Sequence, residues 1–121
     1  MKTKVSEATD RQLDWLAAKC EWTDRPTISK SGCRVSVLVA AGTDPSDPAL
    51  RFFYEPSTNW DQGGPIIERE HIHLRHRINE WAASKTKGPF VAFGPTPLIA
   101  AIRCYVASKL GDEVEIPEEL K

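Results

Sequence analysis

The sequence predicts an α+β fold: an N-terminal helix, a three- to five-stranded antiparallel sheet, and a C-terminal helix packed on one face. Three observations predict it. Apolar residues recur at helical spacing behind capping patterns near both ends, at 10–20 and 97–110. Arg34 to Ala40 alternates as a half-buried strand does. Further short apolar runs follow, divided by Gly- and Pro-containing turns. With 121 residues the chain makes one domain, 1–121, with a tail at 112–121 that runs extended along it.

Thr9-Asp10-Arg11-Gln12 reads as a capping box, in which the Thr9 hydroxyl accepts from the Gln12 amide and the Gln12 side chain reaches back. Leu13, Leu16, Ala17 and Cys20 then fall on one helical face, with Trp15 and Trp22 off it. Pro26 closes the segment, because proline disfavours helix for the residue before it. In the first strand Val35, Val37 and Val39 point one way, and Arg34, Ser36 and Leu38 the other. A turn-rich loop at 41–48 leads to a partner strand, Leu50 to Tyr54, which feeds a polar loop at Ser57–Pro65.

After that loop, Ile72, Leu74, His76 and Ile78 alternate as a strand, although Ile67, His71, Leu74, Ile78 and Trp81 also fit a helical stripe. The strand reading is preferred, because Asn79 to Ser84, Lys85 to Gly88 and Pro89 to Phe93 then follow as strand, turn and strand. The last helix has Thr96 as N-cap, Pro97 at the first helical position and Gly111 just past its end. Its expected buried stripe is Ile99, Ile102, Val106 and Leu110, flanked by Leu98 and Tyr105. Val114, Ile116 and Leu120 make the acidic tail an extended segment, with a short strand as one form of it.

Composition excludes several classes. Hydrophobic residues make up 40% and charged residues 27%, the balance of a globular chain. A formal net charge of −1 and an isoelectric point near 6.3 supply no global field toward nucleic acid or anionic membrane. No apolar run is long enough to span a bilayer, and Met1 to Glu7 lacks the apolar segment of a signal peptide. Cys20, Cys33 and Cys104 are odd in number and widely spaced, which reads as reduced, buried thiols in a cytosol.

The stretch Ser57-Thr58-Asn59-Trp60-Asp61-Gln62-Gly63-Gly64-Pro65 concentrates the chemistry. Trp60 and Tyr54 offer ring faces to a planar ligand, and Thr58, Asn59 and Gln62 offer hydroxyl and amide groups to a polar edge. Gly63 and Gly64 allow close approach to the main chain. The helix start at Thr96 offers backbone N–H groups to a phosphate or carboxylate. The candidate ligand-binding residues are therefore Tyr54, Thr58, Asn59, Trp60, Gln62, Gly63, Gly64 and Thr96. An equally weighted reading has Trp60 plugging the edge of the core while the polar residues close the turn.

Rival chemistries are weaker. On a strand, His71 and His73 share a face and His76 takes the other, so a metal would need a ligand from elsewhere, such as Glu68 or Glu70. No metal or other cofactor is expected. The basic run Arg69 to Arg77 is diluted by Glu68, Glu70 and Glu80. The helix start at 94–98 also lacks the lysines that double-stranded RNA binding domains place there, so nucleic acid is disfavoured. No nucleophile elbow, phosphate loop, dinucleotide fingerprint or Cys–His motif is present, so the chain does not read as an enzyme.

Two long blocks carry a family resemblance. Ser57-Thr58-Asn59-Trp60-Asp61-Gln62-Gly63-Gly64-Pro65-Ile66-Ile67-Glu68 resembles the central motif of the NinX family of phage proteins. The block from Gly94-Pro95-Thr96-Pro97-Leu98 through Leu110-Gly111-Asp112-Glu113-Val114 resembles its C-terminal signature. Lys4-Val5-Ser6-Glu7 and Leu13-Asp14-Trp15 are similar as well, whereas Cys20 to Phe53 and the His-rich stretch depart from the pattern. The resemblance implies a protein of tailed bacteriophages or prophages acting in the bacterial cytoplasm, and it implies no activity.

The reading that joins these observations is a non-enzymatic binding protein. It would sequester a nucleotide-like signalling ligand to counter host defence, as a monomer or a homodimer. The alternative is a protein-interaction module that inhibits or redirects a host protein.

Overall fold

The computed structural model describes residues 2–21, 26–28, 35–40, 49–85, 91–116 and 120. In chain order they form β1 (Lys2–Lys4), a 3-10 turn (Val5–Glu7), α1 (Asp10–Glu21), β2 (Pro26–Ile28), β3 (Val35–Ala40) and β4 (Ala49–Phe53). Then come α2 (Trp60–Arg69), β5 (Ile72–His76), β6 (Trp81–Lys85), β7 (Val91–Gly94), α3 (Pro97–Leu110) and β8 (Glu113–Glu115). The class is α+β, as expected. Trp22, Cys33, Arg34, the loop at 41–48, the turn at 86–88, Pro89 and Phe90 lie outside the described residues.

The expected single sheet is three sheets. β2-β3-β4 and β5-β6-β7 are antiparallel meanders, and β1 pairs antiparallel with β8 as a separate ribbon. The division follows from α2, which interrupts the chain between β4 and β5. The tail's expected short strand is β8, whose Val114 lies opposite Thr3.

α3 is the element around which the others pack. Leu98, Ala100, Ala101, Ile102, Cys104, Tyr105, Val106 and Ala107 are all buried, so the helix is apolar nearly all round. A helix of that kind must be covered on more than one side. The β5–β7 sheet covers one side and α1 another, with α2 against it as well. The expected stripe is therefore too narrow: Leu110 is exposed and Ile99 only half-buried. Thr96 caps the helix as expected, its Oγ1 accepting from the Ile99 N–H at 3.1 Å. Gly111 ends it at φ 89°, where a side chain would be strained.

α1 buries Leu13, Leu16 and Ala17 as its spacing requires, and Ala18 with them. The Gln12 half of the capping box is present, with Oε1 accepting from the Thr9 N–H at 3.0 Å. Burial pushes the Cys20 thiol up to about 11 and raises Cys104 too, so neither is a ready thiolate.

Two expectations in the middle of the chain are overturned. The stretch 57–65 is not a loop throughout: Trp60 to Pro65 are the first six residues of α2. Asn59 caps that helix, its Oδ1 accepting from the Asp61 N–H at 2.9 Å, a device worth about 1 kcal/mol. Ile66 is buried beneath it. His71 is not on a strand either. It follows the helix at φ 54°, in the left-handed region, and the strand begins one residue later. Ile78 lies beyond that strand at 94% exposure, and β6 starts at Trp81 rather than Asn79.

A polar clamp ties the helices to the second meander. Arg69 on α2 bonds both carboxylate oxygens of Glu21 on α1, and Glu21 also accepts from the Tyr105 hydroxyl of α3 at 2.9 Å. Glu70 accepts from Lys85 of β6 at 2.9 Å and from Arg69 at 3.0 Å, with Lys109 of α3 at 3.7 Å. Burial opposes ionisation of Glu70, but the Lys85 and Arg69 bonds outweigh it and hold the carboxyl down at about 2.

Candidate binding site between two helix starts

The starts of α2 and α3 meet at one small cavity of about 220 Å³, lined by Ser57, Thr58 and Trp60 from one and Thr96, Pro97, Leu98 and Ile99 from the other. Trp60 is the first residue of α2 and Pro97 the first of α3, so the positive ends of two helix dipoles share the space. The earliest backbone N–H groups of a helix have no partner within it. Asn59 and Thr96 satisfy those of Asp61 and Ile99, whereas the amides of Trp60 and Leu98, also in the first turns, have no acceptor within their own helices.

Thus Thr58, Trp60 and Thr96 line one cavity, and Trp60 is 55% exposed. Of the remaining candidates, all but Gly64 are engaged in the fold. Gln62 spans the end of β4: its Nε2 donates to the Phe53 carbonyl at 2.8 Å and its Oε1 accepts from the Glu55 N–H at 2.6 Å. Asn59 is the cap. Tyr54 is only 5% exposed, and burial raises its hydroxyl well above the usual range. Gly63 admits protein: a Cβ there would sit 2.6 Å from Leu98 Cδ2 and against the Pro56 carbonyl. Gly64 faces open space.

Ser57 and Asp14 were not candidates, yet they set the position of the α2 start. The Ser57 N–H donates to Asp14 Oδ1 at 2.9 Å and the Ser57 hydroxyl to the Asp10 carbonyl at 3.1 Å, both on α1. Asp14 is 3% exposed, and burial pushes its carboxyl up to about 7 against the hydrogen bonding from Ser57. Periodicity does not mark Asp14. The Leu13-Asp14-Trp15 triplet contains it, and that likeness was the available signal.

The family model described as Bacteriophage P22, NinX matches residues 4–109. The chain belongs to the NinX family. A comparison with curated proteins finds no match. The two NinX-like blocks are α2 with its cap and α3 with its flanks, and their starts are what the cavity joins. The matched span also takes in the Asp14–Ser57 bond behind it.

Other features of this NinX-family chain bear on the rival chemistries. A second cavity of about 710 Å³ lies between the 3-10 turn, β7 and α3, with Lys4, Glu80, Arg103, Asp112 and Glu113 in its wall. Its charges are mixed, and Arg103 is turned to structure, donating to the carbonyls of Phe93 at 2.7 Å and Ala8 at 2.9 Å. Among the described residues no group of three or more His, Cys, Asp or Glu could hold a metal. Among them, too, no helix is long and apolar enough to cross a membrane.

Proposed function

We propose that this NinX-family chain is a non-enzymatic phage binding protein that captures a small nucleotide-like ligand in the host cytoplasm and so withdraws a signal from host defence. The observation that carries the reading is that Trp60 and Thr96 line the same cavity. A cavity of about 220 Å³ is below the ~300–1,000 Å³ of sites that enclose a whole ligand. It suits a phosphate or carboxylate held on the Trp60 and Leu98 amides, with the ring outside on the indole. The lining holds no carboxylate, imidazole or amine, which favours capture over turnover.

Calorimetric titration with a panel of nucleotides and cyclic dinucleotides tests it. At least one should bind, and Trp60→Ala should weaken that binding about ten-fold or more while the far-UV spectrum stays unchanged. Silence across the panel, or binding untouched by Trp60→Ala, removes the reading. Product appearing during the titration would make the protein a hydrolase instead.

The second reading, a module that inhibits or redirects a host protein, draws on the exposure of Trp60 and Phe53. Exposed aromatics close in the chain are common anchors of protein interfaces. A stoichiometric host partner lost on Trp60→Ala, with no response to the ligand panel, would select it.

A further inference from the structure

The β5–β7 sheet has one face on α3 and one face open. Cross-strand pairing sets the composition of the open face. His73, Ser84 and Val91 form one row, and Arg75, Ala82 and Phe93 the next. Residues 72, 74, 83 and 92 point the other way, with Ile72 and Ala83 buried. Because the middle strand carries only Ala82 and Ser84, the open face is a trough of about 830 Å³. Its β5 wall is basic. Its β7 wall is apolar, with Val91 57% and Phe93 39% exposed. Arg77 continues the basic wall and reaches over the Phe93 ring at 5.5 Å.

The acidic residues that dilute this basic run in the sequence leave the trough. Glu70 is held by Lys85 and Arg69, Glu68 belongs to α2, and Glu80 lines the cavity beside the 3-10 turn. Among the described residues no acidic side chain lines the trough. The acids stand on α2 and in the turns at either end of β5, so the chain reversals have separated charges that are neighbours in sequence.

The geometry points to a binding surface for single-stranded nucleic acid, with phosphates along Arg75 and Arg77 and a base stacked on Phe93 in the place the Arg77 guanidinium takes in the free protein. A narrow trough with cations on one wall and an aromatic ring on the other is what a flexible strand needs, because every base has a π face and every linkage a charge. A protein of net charge −1 with two such arginines should bind weakly, in the ~10⁻⁴–10⁻⁶ M range of non-specific contacts. This surface does not depend on the cavity at the helix starts.

Fluorescence anisotropy of a labelled oligothymidylate, beside a labelled oligoglutamate peptide, tests it on the full chain. The oligonucleotide should bind at about 50 mM salt, with a log–log salt slope near −1.4 from about two phosphate contacts. Arg75→Ala with Arg77→Ala should weaken binding about ten-fold and flatten the slope, whereas Phe93→Ala should weaken it similarly and leave the slope unchanged. Amide chemical shifts of the unmutated protein should move along β5, β6 and β7 when the oligonucleotide is added, a readout that does not rely on a variant folding. No anisotropy change, shifts confined to other elements, or capture of the acidic peptide but not the oligonucleotide would each overturn the proposal.

Discussion

Gly63 on α2 lies against Leu98 on α3 so closely that a Cβ at position 63 would stand 2.6 Å from the Leu98 methyl. Its neighbour Gly64 meets nothing within 4 Å. Adjacent glycines in one helix therefore have opposite reasons to be there. Gly63→Ala should destabilise by about 2 kcal/mol or more, because the Cβ would also meet the Pro56 backbone carbonyl, which cannot rotate away as the Leu98 methyl can. Gly64→Ala should stabilise by about 0.5–1 kcal/mol through helix propensity. Urea denaturation of the two variants reads both signs.

Asp14 should make the protein lose stability as pH rises. Burial pushes its folded carboxyl up to about 7 from an ordinary 3.8, so between those values the folded state holds a proton that the unfolded state has lost. The contribution is complete below about 4 and declines as pH rises through 7. Asp14→Asn keeps an oxygen for the Ser57 N–H and removes the charge. It should stabilise by about 1–3 kcal/mol at pH 8 and flatten the pH profile between 4 and 7. Denaturation midpoints measured across that range decide it.

Glu70 should act in the opposite sense and in a different window. Its folded carboxyl is lowered to about 2 from 4.5, so its stabilisation is present above 4.5 and is lost as pH falls toward 2. Glu70→Gln leaves Lys85 without its ionic partner and should cost about 1–3 kcal/mol at pH 7. The loss should shrink as pH falls below 4, which acid titration of both proteins, followed by circular dichroism, would show.

His71 occupies the left-handed position that ends α2, at φ 54°. An ordinary side chain there costs about 1 kcal/mol, and a β-branched one more. His71→Gly should stabilise by about 0.5–1 kcal/mol and His71→Val should destabilise by more than 1 kcal/mol. If the two variants unfold at the same denaturant concentration, the backbone argument at this turn is wrong.

The helices at 10–21 and 97–110 were legible because their signals are local: a box at Thr9–Gln12, a Thr-Pro start, a glycine stop. α2 was not, since Gly63, Gly64 and Pro65 are punctuation to any local rule. What makes them helical is tertiary, namely the Gln62 amide fixed on β4 and the Gly63–Leu98 approach. The stripe of α3 was misjudged for a related reason, because a helix covered on several sides shows no single apolar face. Of the eight candidate site residues, Thr58, Trp60 and Thr96 line one cavity; the Thr96 cap and the aromatic of the polar stretch were readable from residue type, whereas the helix start at Asn59 was not. Gln62 and Asn59 carry the same polar groups whether they bond a ligand or their own backbone, and sequence cannot tell these apart. The Glu21–Arg69–Glu70–Lys85 clamp joins residues distant in the chain with no local trace.

The pairing of β1 with β8 has a consequence for synthesis. Thr3 leaves the ribosome long before Val114, its partner across the ribbon. The Val5 N–H likewise waits for the Asp112 carbonyl, and the Gln12 side chain for that of Leu120. These contacts close loops of about a hundred residues, and loop closure of that span is slow to pay back its entropy. A nascent chain stalled after α3 would hold its central helix while the seam over the 3-10 turn stayed open. The seam therefore closes only after α3 and the residues just beyond it have been made, so it should be the last part of the fold to form.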